Sequence, residues 1–137
     1  RLARHLQAHV EAYQLGEVMV ESGFRLESEP DTVRGPDVSF IAADRVPPEG
    51  LPDGFFPGAP DLAVEVVSPG DTEAEIQDRV MDYLTHGSRR VWIVRPRRRT
   101  VTVHGSDGTA RVLSEADVLD GEDVVPGFIL SLQELFA

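Results

Sequence analysis

Two short runs put carboxylates where strands bury their side chains. PDLAVEVVSP, residues 60–69, carries Asp61 and Glu65 among Leu62, Ala63, Val64, Val66 and Val67, and PDVSFIA, residues 36–42, opens with Asp37 before an equally apolar run. An ionised carboxylate held away from water is costly unless a positive partner compensates or it takes up a proton. Strand side chains alternate faces, so Asp61, Ala63 and Glu65 share one face and Leu62, Val64 and Val66 the other. The second face is uniformly apolar and is expected to be core. If the two strands are neighbours, Asp37, Asp61 and Glu65 converge, and converging carboxylates repel unless a cation neutralises them. Hard oxygen donors of this kind suit Mg²⁺ or Mn²⁺, and such an ion activates water and stabilises the charge developing on a phosphodiester. The bland alternative is that each acid sits at a strand end, exposed or paired with an arginine. Arg79 is the natural partner for Glu65, because it borders the apolar stripe of the following helix and a buried Glu–Arg pair needs no metal.

The composition narrows the chemistry available. The chain has 137 residues with 41% hydrophobic content, enough for one domain with its own core. It has no cysteine, which removes disulfides, thiolate nucleophiles and cysteine-bound zinc. Its thirteen basic residues are all arginine and face twenty-four acids, for a net charge of −11. Any mechanism that needs lysine must therefore run on a substitute, and non-specific nucleic-acid binding is disfavoured. No apolar run is long enough to span a membrane, and no signal peptide is evident, which points to the cytoplasm. The chain opens at Arg1 as if inside a helix, so a natural N-terminal segment is expected to be missing.

The elements that must position these acids are readable in outline. LARHLQAHVEAYQL puts Leu2, Leu6, Val10 and Tyr13 on one helical stripe, with Gly16 as a stop. EVMVE (17–21) and GFRLES (23–28) read as two strands around a turn at Ser22–Gly23, EPDTVRG as a loop, and PDVSFIA as a strand. RVPPEGLPDGFFPGAP is too rich in Pro and Gly for a helix or central strand, so it is expected to be a long excursion, with FFPGA a candidate interaction surface. DLAVEVVSP is the most apolar strand and should be central. SPGDTEAEIQDRVMDYLTHG reads as a helix capped by Asp71 or Thr72, burying Ile76, Val80, Tyr83 and Leu84 and ending at Gly87. RRVWIVRP is a strand with Trp92 as core or interface, and RTVTVHG and TARVLS form a hairpin around 106–108. This order gives an α/β fold with a mixed sheet. The four histidines show no ligand spacing, and RPRRR (95–99) reads as a solvated turn in preference to a phosphate clamp.

PDVSFI, the Pro-rich loop, APDLAVEVVSPGDT, the helix ending YLTHG, VWIVRP with RTVTVHG, and the terminal VVPGF together resemble the Uma family of bacterial restriction-endonuclease-like proteins, within the PD-(D/E)XK nuclease superfamily. The resemblance covers nearly the whole chain from about residue 15 onward. It implies a single restriction-endonuclease-like domain over 1–137, with a mixed β-sheet flanked by helices. It also implies that Asp37 and Glu65 hold the metal, with Asp61 a further acid at the site. The superfamily's lysine two positions after the strand acid falls at Val67. The family supplies its lysine from the following helix, four residues before the tyrosine, and that position is Arg79 here. The usual Asp of VWIVDP is likewise replaced, by Arg95. Arginine stays protonated and cannot act as a base, although it can anchor a phosphate.

The expectation is therefore a Mg²⁺- or Mn²⁺-dependent endonuclease, impaired by the Lys-to-Arg replacement, acting on nucleic acid with DNA favoured and working as a homodimer by analogy. Its catalytic set would be Asp37, Asp61, Glu65 and Arg79. The competing expectation is a catalytically inactive interaction or dimerisation module on the same scaffold, with Arg79 neutralising Glu65. The absence of lysine and the acidic balance favour the second, and the persistence of all three acids favours the first.

Overall fold

A computed structural model describes residues 1–28 and 31–137. In chain order the elements are helix α1 (Leu2–Tyr13), strands β1 (Gly16–Val20), β2 (Phe24–Glu27), β3 (Thr32–Arg34), β4 (Val38–Ala42), β5 (Phe56–Pro57) and β6 (Leu62–Val66), helix α2 (Glu73–Thr85), strands β7 (Arg90–Arg95), β8 (Thr100–Gly105), β9 (Ala110–Leu113), β10 (Val118–Asp120) and β11 (Ile129–Ser131), and the short helix α3 (Leu132–Leu135). Six strands form the main sheet in the order β1-β4-β6-β7-β8-β9, with β6 and β7 parallel and the other neighbours antiparallel. A parallel pair needs a crossover, and α2 supplies it between β6 and β7.

The apolar run of β6 makes it central because both of its faces are covered. Leu62 and Val64 join Phe40, Trp92 and the α1 residues Leu6 and Val10 in one core, while Ala63 joins Ile41, Val91, Ile93, Ile76 and Val80 in the other. The sheet thus lies between α1 on one side and α2 on the other. α2 begins at Thr72, whose hydroxyl accepts the Glu75 N–H while the Glu75 carboxylate accepts the Thr72 N–H, a reciprocal cap that leaves Asp71 free for another role. Gly87, at φ 112, takes the left-handed conformation just past its end. Among the described residues no helix is long and apolar enough to cross a membrane.

Several local expectations give way. Tyr13 is 67% exposed and leaves the α1 stripe, and the helix stops at Gln14 in a left-handed conformation, so that Gly16 already belongs to β1. β1 and β2 do not form a hairpin. β1 pairs with β4 from Gly16↔Ala42 to Val20↔Val38, and β2 joins a separate small sheet with β3 and β5. Glu21, at φ 54, turns the chain away, and the ring of Phe55 packs where a Cβ on Gly23 would stand. The segment read as a loop over 29–35 contains β3, with residues 29 and 30 outside those described. The Pro-rich excursion contributes the two-residue β5, which buries Phe56 and leaves Phe55 half-exposed.

Candidate active site

Asp37 and Glu65 come together because of strand register. β4 and β6 pair as Val38↔Val64 and Ser39↔Ala63, so one step further Asp37 stands opposite Glu65, on the same face. The Asp37 carboxylate accepts the Val66 N–H through Oδ2 at 2.6 Å, which fixes it against the end of β6 and leaves Oδ1 without a hydrogen bond among the described residues. Glu65 is only 8% exposed. Its Oε2 accepts the Tyr83 hydroxyl at 2.7 Å, and its Oε1 lies 3.7 Å from Nη1 of Arg79. Arg79 makes its closer contact elsewhere, with Nη2 donating to Oδ1 of Asp71 at 3.0 Å. Arg34, Asp37, Glu65, Asp71, Arg79 and Tyr83 line a cleft of about 340 Å³.

The electrostatics follow from this crowding. Burial is the main cause that raises the proton affinity of Glu65 above that of an ordinary glutamate. The Tyr83 hydroxyl and Arg79 oppose it, while the like charges of Asp37 and Asp71 add to it. The same burial, with Glu65 alongside, drives the Tyr83 phenol far above its usual range, so it is a neutral donor. Asp71 is held below the usual carboxylate range by the Ser68 N–H and by Arg79. Arg79 is held even more firmly protonated, chiefly by Asp71.

Asp61, expected as a further metal ligand and catalytic acid, is not brought into this group by the fold. Strand parity puts it on the same face as Glu65, but it stands four residues earlier, about 13 Å away along an extended strand. It lies at the opposite end of β6, 5% exposed. There its Oδ2 accepts the Ala42 N–H at 2.8 Å and pairs with Nη1 of Arg45 at 3.2 Å, while the other Arg45 nitrogen donates to the Ala59 carbonyl. This carboxylate ties the β4 exit to the β6 entry, and a resident guanidinium neutralises it.

The reading from sequence missed three of these cleft residues, Arg34, Asp71 and Tyr83, the first of them in a segment read as a loop. Tyr83 was legible as part of the α2 stripe and as the family tyrosine that locates Arg79, but not as a partner of Glu65, although a buried phenol needs an acceptor. Asp71 was legible as a cap, and only the folded SPGDT loop brings it onto Arg79. None of the four histidines lines the cleft. His9 and His86 hydrogen-bond the carbonyls of Pro126 and Asp82.

Among the described residues no three Asp, Glu, His or Cys side chains form a ligand cluster. The Asp37–Glu65 pair nevertheless fits a hard divalent cation. Mg²⁺ commonly takes one or two carboxylates and completes its shell with water and substrate phosphate, and a buried carboxylate with raised proton affinity gains when a cation replaces the proton.

A family model described as "Uma2: Putative restriction endonuclease" matches residues 1–133. Among solved structures, a putative nuclease belonging to DUF820 from Anabaena variabilis ATCC 29413 superposes with a TM-score of 0.85 at 21% identity, over 98% of this chain and 75% of that one. That likeness shows the fold, a restriction-endonuclease-like mixed sheet flanked by helices. No curated protein matches the sequence.

Proposed function

The chain belongs to the Uma2 family, described as putative restriction endonucleases, and from that premise we propose that it is a metal-dependent endonuclease that hydrolyses nucleic-acid phosphodiester bonds, DNA above all, in the Asp37–Glu65 cleft. One observation carries the reading: strand register places two carboxylates, Asp37 and Glu65, on adjacent strands in one cleft, each fixed through one oxygen by a neighbouring donor. Asp37 and Glu65 would hold Mg²⁺ or Mn²⁺. Such an ion, when bound, supplies an activated water and stabilises charge on the phosphodiester.

The protein's own groups divide the remaining work. The Val66 N–H fixes one oxygen of Asp37, and the Tyr83 hydroxyl fixes one oxygen of Glu65, so each carboxylate presents its second oxygen to the cleft. Arg79, steadied by Asp71, offers donors to a phosphate oxygen. It cannot accept a proton from water, so turnover is slow where a lysine would serve both purposes.

The second reading, an inactive interaction module, is favoured by one contact: Arg79 already stands 3.7 Å from Oε1 of Glu65. Calorimetric titration of Mn²⁺ into the protein and into the Asp37→Ala, Glu65→Ala double variant separates the two. The nuclease reading expects heat from the first protein only, and equal heats remove the metal site. Where Mn²⁺ binds, the Arg79→Lys variant should nick supercoiled plasmid faster than the unaltered protein.

A further inference from the structure

The turn between β7 and β8 stands beside the carboxylate cleft. β6 and β7 run parallel, so Val66 and Arg95 end at the same edge of the sheet. The Val67 N–H, bonded to the Val94 carbonyl at 2.9 Å, carries the pairing past the end of β6. Residues 96–99 then reverse the chain, with the Arg99 N–H on the Pro96 carbonyl and Arg99 at φ 56. A second hollow of about 340 Å³ opens against this turn. Ser68 and Asp71 line both hollows, so one loop borders the two.

The charges along this path are unequal. Arg95 clasps both oxygens of Glu73 at 2.6 and 3.1 Å, and Arg99 clasps both oxygens of Glu115 at 2.6 and 3.2 Å. Arg97 and Arg98, between them in sequence, are exposed and form no ion pair among the described residues. In a chain with a net charge of −11, most arginines face a carboxylate. Two adjacent guanidiniums that escape this fate, at the edge of the cleft, have the chemistry of an anion site. Other arginines are unpaired too, and Arg98 lies near Glu73; what sets Arg97 and Arg98 apart is that they are adjacent and both line the hollow beside the cleft.

We propose that Arg97 and Arg98 form a phosphate-binding subsite for nucleic acid, taking backbone phosphates next to the one that an ion on Asp37 and Glu65 would engage, with the Ser68–Asp71 loop between. The inference rests on the nuclease reading and adds to it the direction in which the strand leaves the cleft. Guanidinium forks match phosphate oxygens, and such contacts set position and register without reading sequence. On so acidic a chain, a local positive patch is also what allows a polyanion to approach.

The test is fluorescence anisotropy of the full chain with a labelled DNA duplex, in Ca²⁺ buffer and over a series of salt concentrations. The Arg97→Ala, Arg98→Ala variant should bind about tenfold more weakly, and its plot of log affinity against log salt should be shallower by about 1.8, the loss of two phosphate contacts. A charge-matched control, Arg4→Ala, Arg111→Ala, removes two other unpaired arginines, on α1 and on β9 at the far edge of the sheet, and should leave both quantities nearly unchanged. Arg97→Lys, Arg98→Lys should recover most of the affinity. If the 97/98 variant behaves like the control, the subsite is overturned and the nuclease reading stands. If the unaltered protein does not bind the duplex, both fall.

Discussion

Glu65→Gln separates a metal site from a structural ion pair, because the two give opposite signs. Glutamine keeps the size of the side chain and an oxygen for the Tyr83 hydroxyl, and replaces the charged oxygen near Arg79 by a neutral amide nitrogen. Burial, with Asp37 and Asp71 nearby, raises the folded-state proton affinity of Glu65 above the ordinary value near 4.5. Its contribution to stability is therefore full below that ordinary value and is lost as pH rises through the higher folded one. Once pH exceeds that folded value, in chelator, the unaltered protein carries an incompletely partnered buried carboxylate. Leaving such a group unsatisfied costs about 1–3 kcal/mol, and the loose Arg79 contact at 3.7 Å reduces this. Removing the charge should then stabilise by about 1–2 kcal/mol, or about 3–6 °C in Tm for a chain of this length. At about pH 4.5 the gain should shrink towards zero. Mn²⁺ at about a hundred times its Kd should return about 2.7 kcal/mol to the unaltered protein and little to the variant, inverting their order. Circular-dichroism melts at the two pH values, with chelator and with Mn²⁺, read all of this. A variant that melts below the unaltered protein in chelator near neutral pH would mean that Arg79 already satisfies Glu65, and the nuclease reading would fail.

Two further outcomes follow from the same contacts. Asp61→Ala strands Arg45 and leaves the Ala42 N–H without its acceptor; it should cost about 3 kcal/mol in urea unfolding while leaving Mn²⁺ affinity unchanged, since that acid lies outside the cleft. Tyr83→Phe removes the donor that favours ionised Glu65, so the pH at which calorimetry first detects Mn²⁺ binding should move upward; a downward move would contradict the role given to the hydroxyl.

The parts of the fold that were legible are those set by local chemistry. A cap at Asp71 or Thr72 with acids in the first turn, the α2 stripe of Ile76 and Val80, and the apolar runs of β6 and β7 each follow from residues within a few positions of one another. The pairing of β1 was not legible, because its partner β4 lies beyond β2 and β3 in sequence, and a neighbouring strand looks like the natural partner. The chain turns away at Glu21, and β2 pairs instead with β3 and with β5, a partner far along the sequence beside which Phe55 packs on Gly23. Tyr13 misled in a simpler way, since helical spacing placed it on the stripe but the helix ends at the next residue, beyond the reach of the sheet.

The site shows the same division. Alternation along a strand tells which face a side chain takes but not which end it occupies, so Asp61 and Glu65 looked like companions. Register decides between them: with Val38 opposite Val64, Asp37 meets Glu65 and Asp61 meets Ile41. The remaining question is whether Arg79 closes the charge account of the cleft, and its contacts argue against that. Asp37, Glu65 and Asp71 bring three negative charges, and Arg34, the other arginine in the lining, is held by Asp82. Arg79 returns a single positive charge and sits closer to Asp71 than to Glu65. A sequence shaped only to bury a Glu–Arg pair would bring those two into a two-pronged clasp. Here Glu65 is left to Tyr83, its proton affinity rises, and two negative charges remain uncompensated, which is the charge that one divalent cation cancels.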